Sequence, residues 1–329
     1  LFSSIYILYF HLYVNSMVRT VTTNSEGKAT GVSFIDKDEN KEYKLKGKVV
    51  VLAASACSSA RILLNSKSKQ HPNGLGNSSD LIGKYLHDST GGDMMAFIPE
   101  LIDRKIYNED GVGGMHVYSP WWLDNKKLDF ARGYHIEVWG GMGAPTYGTG
   151  FNVNNFNKFF GINKAGGYGD VLRADMKKYY GSTIGVSGRG ESIAQKSNYC
   201  EIDPNKVDKY GVPTLRFNYQ WTDNEIKQAK HMQDTFEEII HNMGGIPLWG
   251  KPGKDANYGL NKPGWIIHEV GTTRMGDDPK ESVTNQFERL HDVSNVYVVD
   301  AGPFVSQADK NPTWTILALA MISSEHIVE

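Results

Sequence analysis

Cysteine is scarce in this 329-residue chain. Cys57 and Cys200 stand far apart and form neither a CxxC pair nor a Cys/His group, so neither a disulfide framework nor a zinc site is expected, and no metal is assigned. No block of lysine and arginine occurs either. The formal net charge is −2 with both signs mixed along the chain, which argues against a nucleic-acid partner. Long apolar runs are missing: the opening LFSSIYILYFHLYV is apolar and aromatic but shorter than the roughly 20 residues that span a bilayer. It also lacks the basic start and small-residue cleavage site of a signal peptide. The chain begins with leucine, so the expectation is a fragment whose upstream portion is absent, and localisation is left open. No repeat or low-complexity segment breaks the sequence. The glycine-rich stretches GLGNSS, GVGGMH, GRGESI and GMGAPT each lack the third glycine of a GxGxxG dinucleotide turn, and no GxxxxGK occurs.

What remains is the composition of a soluble globular protein, 40% hydrophobic and 22% charged, with room for one or two domains. Three blocks follow one another. MVRTVTT, ATGVSFID and KEYKLKG alternate apolar and polar residues between polar turns, the pattern of an antiparallel meander. KVVVLAA is a continuous apolar run, typical of a buried parallel strand, and SSARILLNS after it reads as a short helix. A middle block from Gly91 to Trp265 is rich in glycine and aromatics, with strand-like YHIEVW and TLRFNYQW, and reads as α+β on an antiparallel sheet. Its helix is well marked: Thr222 and Glu225 form a capping box, Ile226, Ala229, Met232, Phe236, Ile239 and Met243 share a face, and Gly244 ends it. The last block returns to the first style, with NVYVVDAG as a strand apolar on both faces and NPTWTILALAMISSEHIV as a helix apolar nearly all round.

The two apolar strands bracket the middle block and are expected in one parallel sheet. Such sheets bind ligands at the carboxyl ends of their strands. Ala54 and Ser55 stand at one end, Asp300 and Ala301 at the other, although an aspartate there also serves as a turn or cap residue. Asn311 before Pro312 is a standard helix start, with Asn as N-cap; the same helix end can stabilise an anion or an electron-rich ring edge. His268 closes the apolar IIH and opens a Gly-Thr-Thr turn. Buried hydrogen bonding explains such a histidine as readily as catalysis does, and a zinc HExxH motif fails because Thr272 holds the second histidine position. Trp121, Trp122, Tyr134 and Trp139 can offer faces to a sugar ring or pack on a half-buried sheet; Trp314 reads as packing.

His268 in HEVGTTRMG, the SV at 282–283, NVYVVDAG and the NPTWTILALA start 43 residues after the histidine resemble, in order and spacing, the C-terminal signature of the glucose-methanol-choline (GMC) flavin-dependent oxidoreductases. KVVVLAASACSSARILLNS and LIGKYLHDS also resemble family segments, and GVPTLRFNYQWTDNE is similar to sugar-oxidising members. The resemblance runs from about Val14 onward. It implies an α/β fold: an incomplete Rossmann-like FAD-binding domain, residues 1–90 and 265–329 without the N-terminal nucleotide-binding βαβ, and an inserted α+β substrate domain, residues 91–264. It implies FAD as cofactor and oxidation of a sugar, glycoside or related alcohol, with His268 as base and Asn311 holding the substrate oxygen. Ala54 and Ser55 would lie beside the adenine half, Asp300 and Ala301 at the ribityl and diphosphate part, Pro312 and Thr313 beside the ring, and the backbone of Val18 at adenine. The electron acceptor is left open among oxygen, a quinone and a redox protein. The missing GxGxxG turn keeps two alternatives in view: a non-catalytic remnant that binds ligand without flavin, and a lyase on the same fold.

Overall fold

The computed structural model describes residues 10–104, 116–119, 127–140 and 169–329. Strands β1 (Ser16–Thr23), β2 (Ala29–Asp36) and β3 (Lys41–Lys46) form the antiparallel meander that alternation and polar turns predict. Strand β4 (Val50–Leu52) follows, then helix α1 (Ala56–Asn65). Near the other end of the chain, β12 (Val296–Val298) lies parallel to β4, with Val296 opposite Val50 and Val298 opposite Leu52. All three residues of β12 are buried, as a strand apolar on both faces requires. β4 differs: Val50 and Leu52 turn into the core while Val51 is 48% exposed. The first core joins Val21, Leu52, Leu63, Val296 and Val298.

The hairpin of β9 (Tyr199–Val207) and β10 (Pro213–Asn218) belongs to this core too. Its strand pattern suggests the middle antiparallel sheet, but its apolar residues Cys200, Ile202 and Leu215 pack with α1. Arg61 of α1 fastens it by donating to the Pro213 carbonyl (2.7 Å) and pairing with Asp208 (2.8 Å). Cys57 and Cys200 meet here as free thiols, and the neighbouring Cys200 together with burial pushes the Cys57 thiol up.

A second layer is a five-stranded antiparallel sheet. Its strands are β5 (Thr90–Phe97), β6 (His116–Ser119), β7 (Tyr134–Gly140), β8 (Thr183–Gly190) and the short β11 (Ile246–Pro247), in the order β11-β5-β8-β7-β6. Helix α2 (Asp170–Tyr179) precedes β8. Helix α3 (Asp223–Asn242) covers one face. It starts where the sequence places it: the Thr222 main-chain N–H donates to Glu225 (2.8 Å) and the Thr222 hydroxyl accepts from Asn224 N–H (3.3 Å). Met232, Phe236 and Ile240 are fully buried against Met94, Ile136 and Val186. Each such side chain contributes about 1.5–3 kcal/mol. At Gly188 any Cβ would come within 2.9 Å of the Met232 sulfur, so the bare backbone lets helix and sheet close together. Ile240, rather than the expected Met243, carries the end of the stripe, because Met243 is already past the helix and 39% exposed; Gly244 (φ 66°) then turns the chain.

The last helix, α4 (Thr313–Val328), rests Ile316 and Leu319 on Ala56, Val270, Ala301 and Phe304. Trp314, Leu317, Met321, Ile322 and Val328 face outward. Trp314, expected to pack, is 85% exposed. Pro312 stands at the N-cap position and makes no side-chain cap, so Asn311 lies outside the helix and is not its cap. Among the described residues no helix is long and apolar enough to cross a membrane.

Candidate active site

His268 is placed by its backbone before its ring. Ile267, 76% exposed, adopts φ 59°, a left-handed conformation that costs a β-branched residue about 1–2 kcal/mol. The next main-chain N–H, that of His268, then donates to Asp88 Oδ1 at 3.0 Å. The same carboxylate oxygen accepts from Ser89 N–H at 2.8 Å. Burial lifts Asp88 to about 6, opposed by these backbone donors. The His268 Nδ1 lies 3.4 Å from the Ser89 hydroxyl, to which Gln307 Nε2 donates at 3.1 Å. The Gln307 amide also reaches the carbonyl of Lys310 at 3.5 Å. The segment just before Asn311 is thereby tied to the imidazole. The Asn311 carboxamide is exposed and makes no hydrogen bond among the described residues, and the Nε2 of His268 is likewise unbonded. Burial, and after it the charge of Arg189, holds the half-buried His268 ring below the ordinary histidine value.

Beside this pair, the sheet face opposite α3 forms a polar floor. Cross-strand partners share a face, so the registers set out its rows: Gly91, Arg189 and His135 in one, Asp93, Ser187 and Glu137 in the next, and Met95, Gly185 and Trp139 in a third. His135 is fully buried and joins two carboxylates, with Nε2 3.0 Å from Glu137 and Nδ1 3.2 Å from Asp309. Lys310 also pairs with Asp309, at 2.5 Å. Burial alone would depress His135, but Asp309 and Glu137 outweigh it and raise the imidazole above its ordinary value. Burial alone would raise Glu137 and Asp309, but His135, together with Arg189 at Glu137 and Lys310 at Asp309, outweighs it and holds both low. This link ties β7 to the loop that carries Asn311.

The other sequence-predicted positions form a second group. Asp300 lies at the carboxyl ends of β4 and β12, 6% exposed, and its carboxylate is filled from within: Ser59 donates at 2.5 Å and Gly302 N–H at 2.8 Å, with the Ala54 and Ser55 backbone also on it. Burial raises it nonetheless. Asp300 thus orders the turn made by Ala54, Ser55 (φ 83°) and Ala301, and its carboxylate has little left to offer a ligand. Gly302 permits that turn; a Cβ there would fall 2.4 Å from the Thr273 hydroxyl. Pro312 and Thr313 open α4, whose Ile316 and Leu319 pack on Ala301 of this group and on Val270, two residues after His268. Val18 lies on the meander against the first core, apart from His268.

Of the aromatic candidates, Tyr134 points away from this floor: it packs under α3 and bonds His231 at 2.6 Å. Trp139 lies on the floor, across Gly185, where a Cβ would fall 2.3 Å from the indole. Trp121 and Trp122 lie outside the described residues. Among the described residues no group of three or more histidine, cysteine or acidic side chains could hold a metal ion. Ser89, Gln307, His135, Glu137, Asp309 and Arg189 were not singled out by sequence; only Ser89 carried a signal, as the last residue of LIGKYLHDS.

The chain is 29% identical over 317 residues to 2-methyl-1,2-propanediol dehydrogenase of Mycolicibacterium austroafricanum, covering 96% of this chain and 54% of that protein. It is 24% identical over 316 residues to the fructose dehydrogenase large subunit of Gluconobacter japonicus (95% and 53%), and 25% over 327 residues to the gluconate 2-dehydrogenase flavoprotein of Pantoea cypripedii (97% and 51%). The chain spans about half the length of these curated relatives. A solved structure of Aspergillus oryzae RIB40 formate oxidase, from work on its FAD modification, superposes with a TM-score of 0.65 at 12% identity, over 94% of this chain and 59% of that one, which shows a shared fold. Two GMC oxidoreductase family models match residues 10–90 and 195–320, together more than half of the sequence. With strand, turn and helix motifs all falling inside the matched stretches, the chain belongs to the GMC oxidoreductase family.

Proposed function

We propose that this chain carries the proton-handling half of an FAD-dependent oxidation of a sugar, glycoside or related alcohol. The observation that carries the reading is the chain of contacts from His268 through Ser89 and Gln307 to the backbone beside Asn311. It ties the imidazole to the segment that leads into Asn311, which supports the two side chains serving one carbinol. FAD, when bound, supplies the acceptor for the carbon-bound hydrogen, which leaves as hydride. His268 Nε2 takes the hydroxyl proton, for which an imidazole held below its ordinary value is already neutral. That role needs the ring proton on Nδ1, donated to Ser89, whose oxygen also accepts from Gln307. Asn311 holds the substrate oxygen. The start of α4 has no side-chain cap and an exposed first turn, so its N–H groups fit the edge of a flavin, where charge grows on reduction. Ala54, Ser55 and Ala301, ordered by Asp300, with Pro312, Thr313 and Val18, are proposed to line the rest of the cofactor.

On this reading residues 1–90 and 265–329 act as the cofactor domain, joined in its core by the β9–β10 hairpin, and the antiparallel sheet supplies the substrate floor. The relatives' names include a diol, fructose, gluconate and a C-glycoside as substrates, all carrying oxidisable carbinols. Both oxidases and dehydrogenases occur among them, so the acceptor is oxygen, a quinone or a redox protein, to be separated by oxygen uptake against reduction of a quinone dye. A mixed-sign surface with a net charge of −2 fits small-molecule partners and not nucleic acid. The test is flavin reduction. Protein loaded with FAD should lose its visible flavin band on adding substrate, and His268→Ala should keep the band and lose the bleaching; a variant that bleaches at the wild-type rate rejects His268 as the base.

A further inference from the structure

The floor beside His268 carries several charges, and all but one of its cations are matched. His135 is shared by Glu137 (3.0 Å) and Asp309 (3.2 Å), and Lys310 pairs with Asp309 (2.5 Å). His116 lies 3.9 Å from Glu137, and the nearby Glu191 pairs with Arg132 at 3.4 Å. Arg189 is the exception. Its guanidinium donates to the carbonyl of the preceding Gly188 (2.9 Å) and makes no ion pair among the described residues. Asp93, in the neighbouring row, is exposed and does not reach it within ion-pair distance.

Arg189 is half-buried, and the carboxylate it acts on, Glu137, is already bonded by His135 and Ser187, so the guanidinium has no direct acidic partner among the described residues, and burying a cation without one is unfavourable. Its neighbours sharpen the cost. On one side stands Gly91, which has no side chain to offer; on the other is His135, directly opposite in the register, whose imidazole Asp309 and Glu137 hold above its ordinary value against its burial. Like charges directly opposite across two strands repel. A stable protein with no use for this charge would place a carboxylate there. Of the charges that act on the His268 ring, Arg189 has the largest influence.

We infer that Arg189 receives a carboxylate of the substrate, so that the alcohol presented to His268 is a hydroxy acid of the sugar-acid class. The guanidinium fork matches a carboxylate in two parallel hydrogen bonds, which fixes orientation as well as charge. A bound carboxylate would give Arg189 a direct acidic partner beside His268. This inference rests on the alcohol-oxidising reading of His268.

The test is binding of gluconate against sorbitol, its uncharged polyol counterpart, to the full chain by titration calorimetry at low and high salt. Gluconate should bind about 10- to 100-fold more tightly, the worth of a charge-assisted hydrogen bond. Arg189→Gln should erase the difference and Arg189→Lys should keep part of it. Equal affinities in the unmodified protein, or a preference that survives Arg189→Gln, would overturn the inference. The unmodified comparison decides the matter even if a variant misfolds. Repeating it with His268→Ala separates the two ideas: binding selectivity should persist there, whereas unimpaired flavin bleaching would remove only the base assignment.

Discussion

The His135 bridge offers the sharpest energetic test. Replacing His135 with phenylalanine keeps a ring of similar size and removes both donors. Glu137 and Asp309, 6% and 7% exposed, then lose the imidazole at 3.0 and 3.2 Å. Breaking a buried pair by deleting one partner costs about 3–5 kcal/mol. Ser187 still donates to Glu137 (3.2 Å) and Lys310 to Asp309, which places His135→Phe near the lower figure, about 3 kcal/mol. The effect must also depend on pH. The imidazole is raised above its ordinary 6.5, so its contribution is complete below that value and is lost as pH rises through the raised one. The carboxylates are held below their ordinary 4.5 and 3.8, so theirs is complete above those values and is lost as pH falls through the lowered ones. The difference between wild type and variant should therefore peak between about pH 4.5 and 6.5. Urea unfolding across that range measures it, and a cycle with Asp309→Asn should show coupling of about 1–3 kcal/mol. A difference flat with pH, or strict additivity with Asp309→Asn, would refute a charged bridge.

Three further outcomes follow from single positions. Flavin bleaching should stay fast below pH 6.5, because His268 is held low, and Arg189→Gln should move that acid limb to higher pH; a pH–rate profile reads both. Glu288 is 1% exposed and raised by burial from 4.5 to about 7, so the folded state weakens as pH rises through that interval. Glu288→Gln should accordingly stabilise the protein by up to about 3 kcal/mol above pH 7 and do nothing near pH 4, as thermal melts at the two extremes would show. Ile267→Gly should raise stability by about 1 kcal/mol in denaturant titrations, since it relieves a left-handed backbone at an exposed side chain; a loss would mean that Ile267 packs in a way its 76% exposure does not suggest.

The split between what the sequence revealed and what it hid has a physical cause. Local signals survive reading along the chain. The Thr222 cap, the Met232–Phe236 stripe, the polar turns of the meander and the apolar run of β12 each depend on residues a few positions apart, and each forms as read. Patterning failed where burial depends on a distant partner. Val51 looks like Val50 in sequence but lies on the uncovered side of β4, and TLRFNYQW alternates like a sheet strand yet packs on α1 through a contact made by Arg61. The site divides the same way. His268 and Asn311 stand in short motifs, so they could be named from sequence. Arg189, His135 and Glu137 form one cluster only because two strands adopt a particular register, with Arg189 opposite His135 and Ser187 opposite Glu137, and because Asp309 arrives from a loop 174 residues away from His135. A slip of one residue in β8 would turn Arg189 toward α3 and put Gly188 on the floor, inverting the polarity of both faces. What fixes the register is apolar: Val186 and Ile184 fill the space under Met232, Phe236 and Ile240. The Arg189 charge is thus placed by hydrophobic side chains on the opposite side of the sheet, and a substitution that overfills Gly188 beneath α3 should disturb Arg189 without touching it.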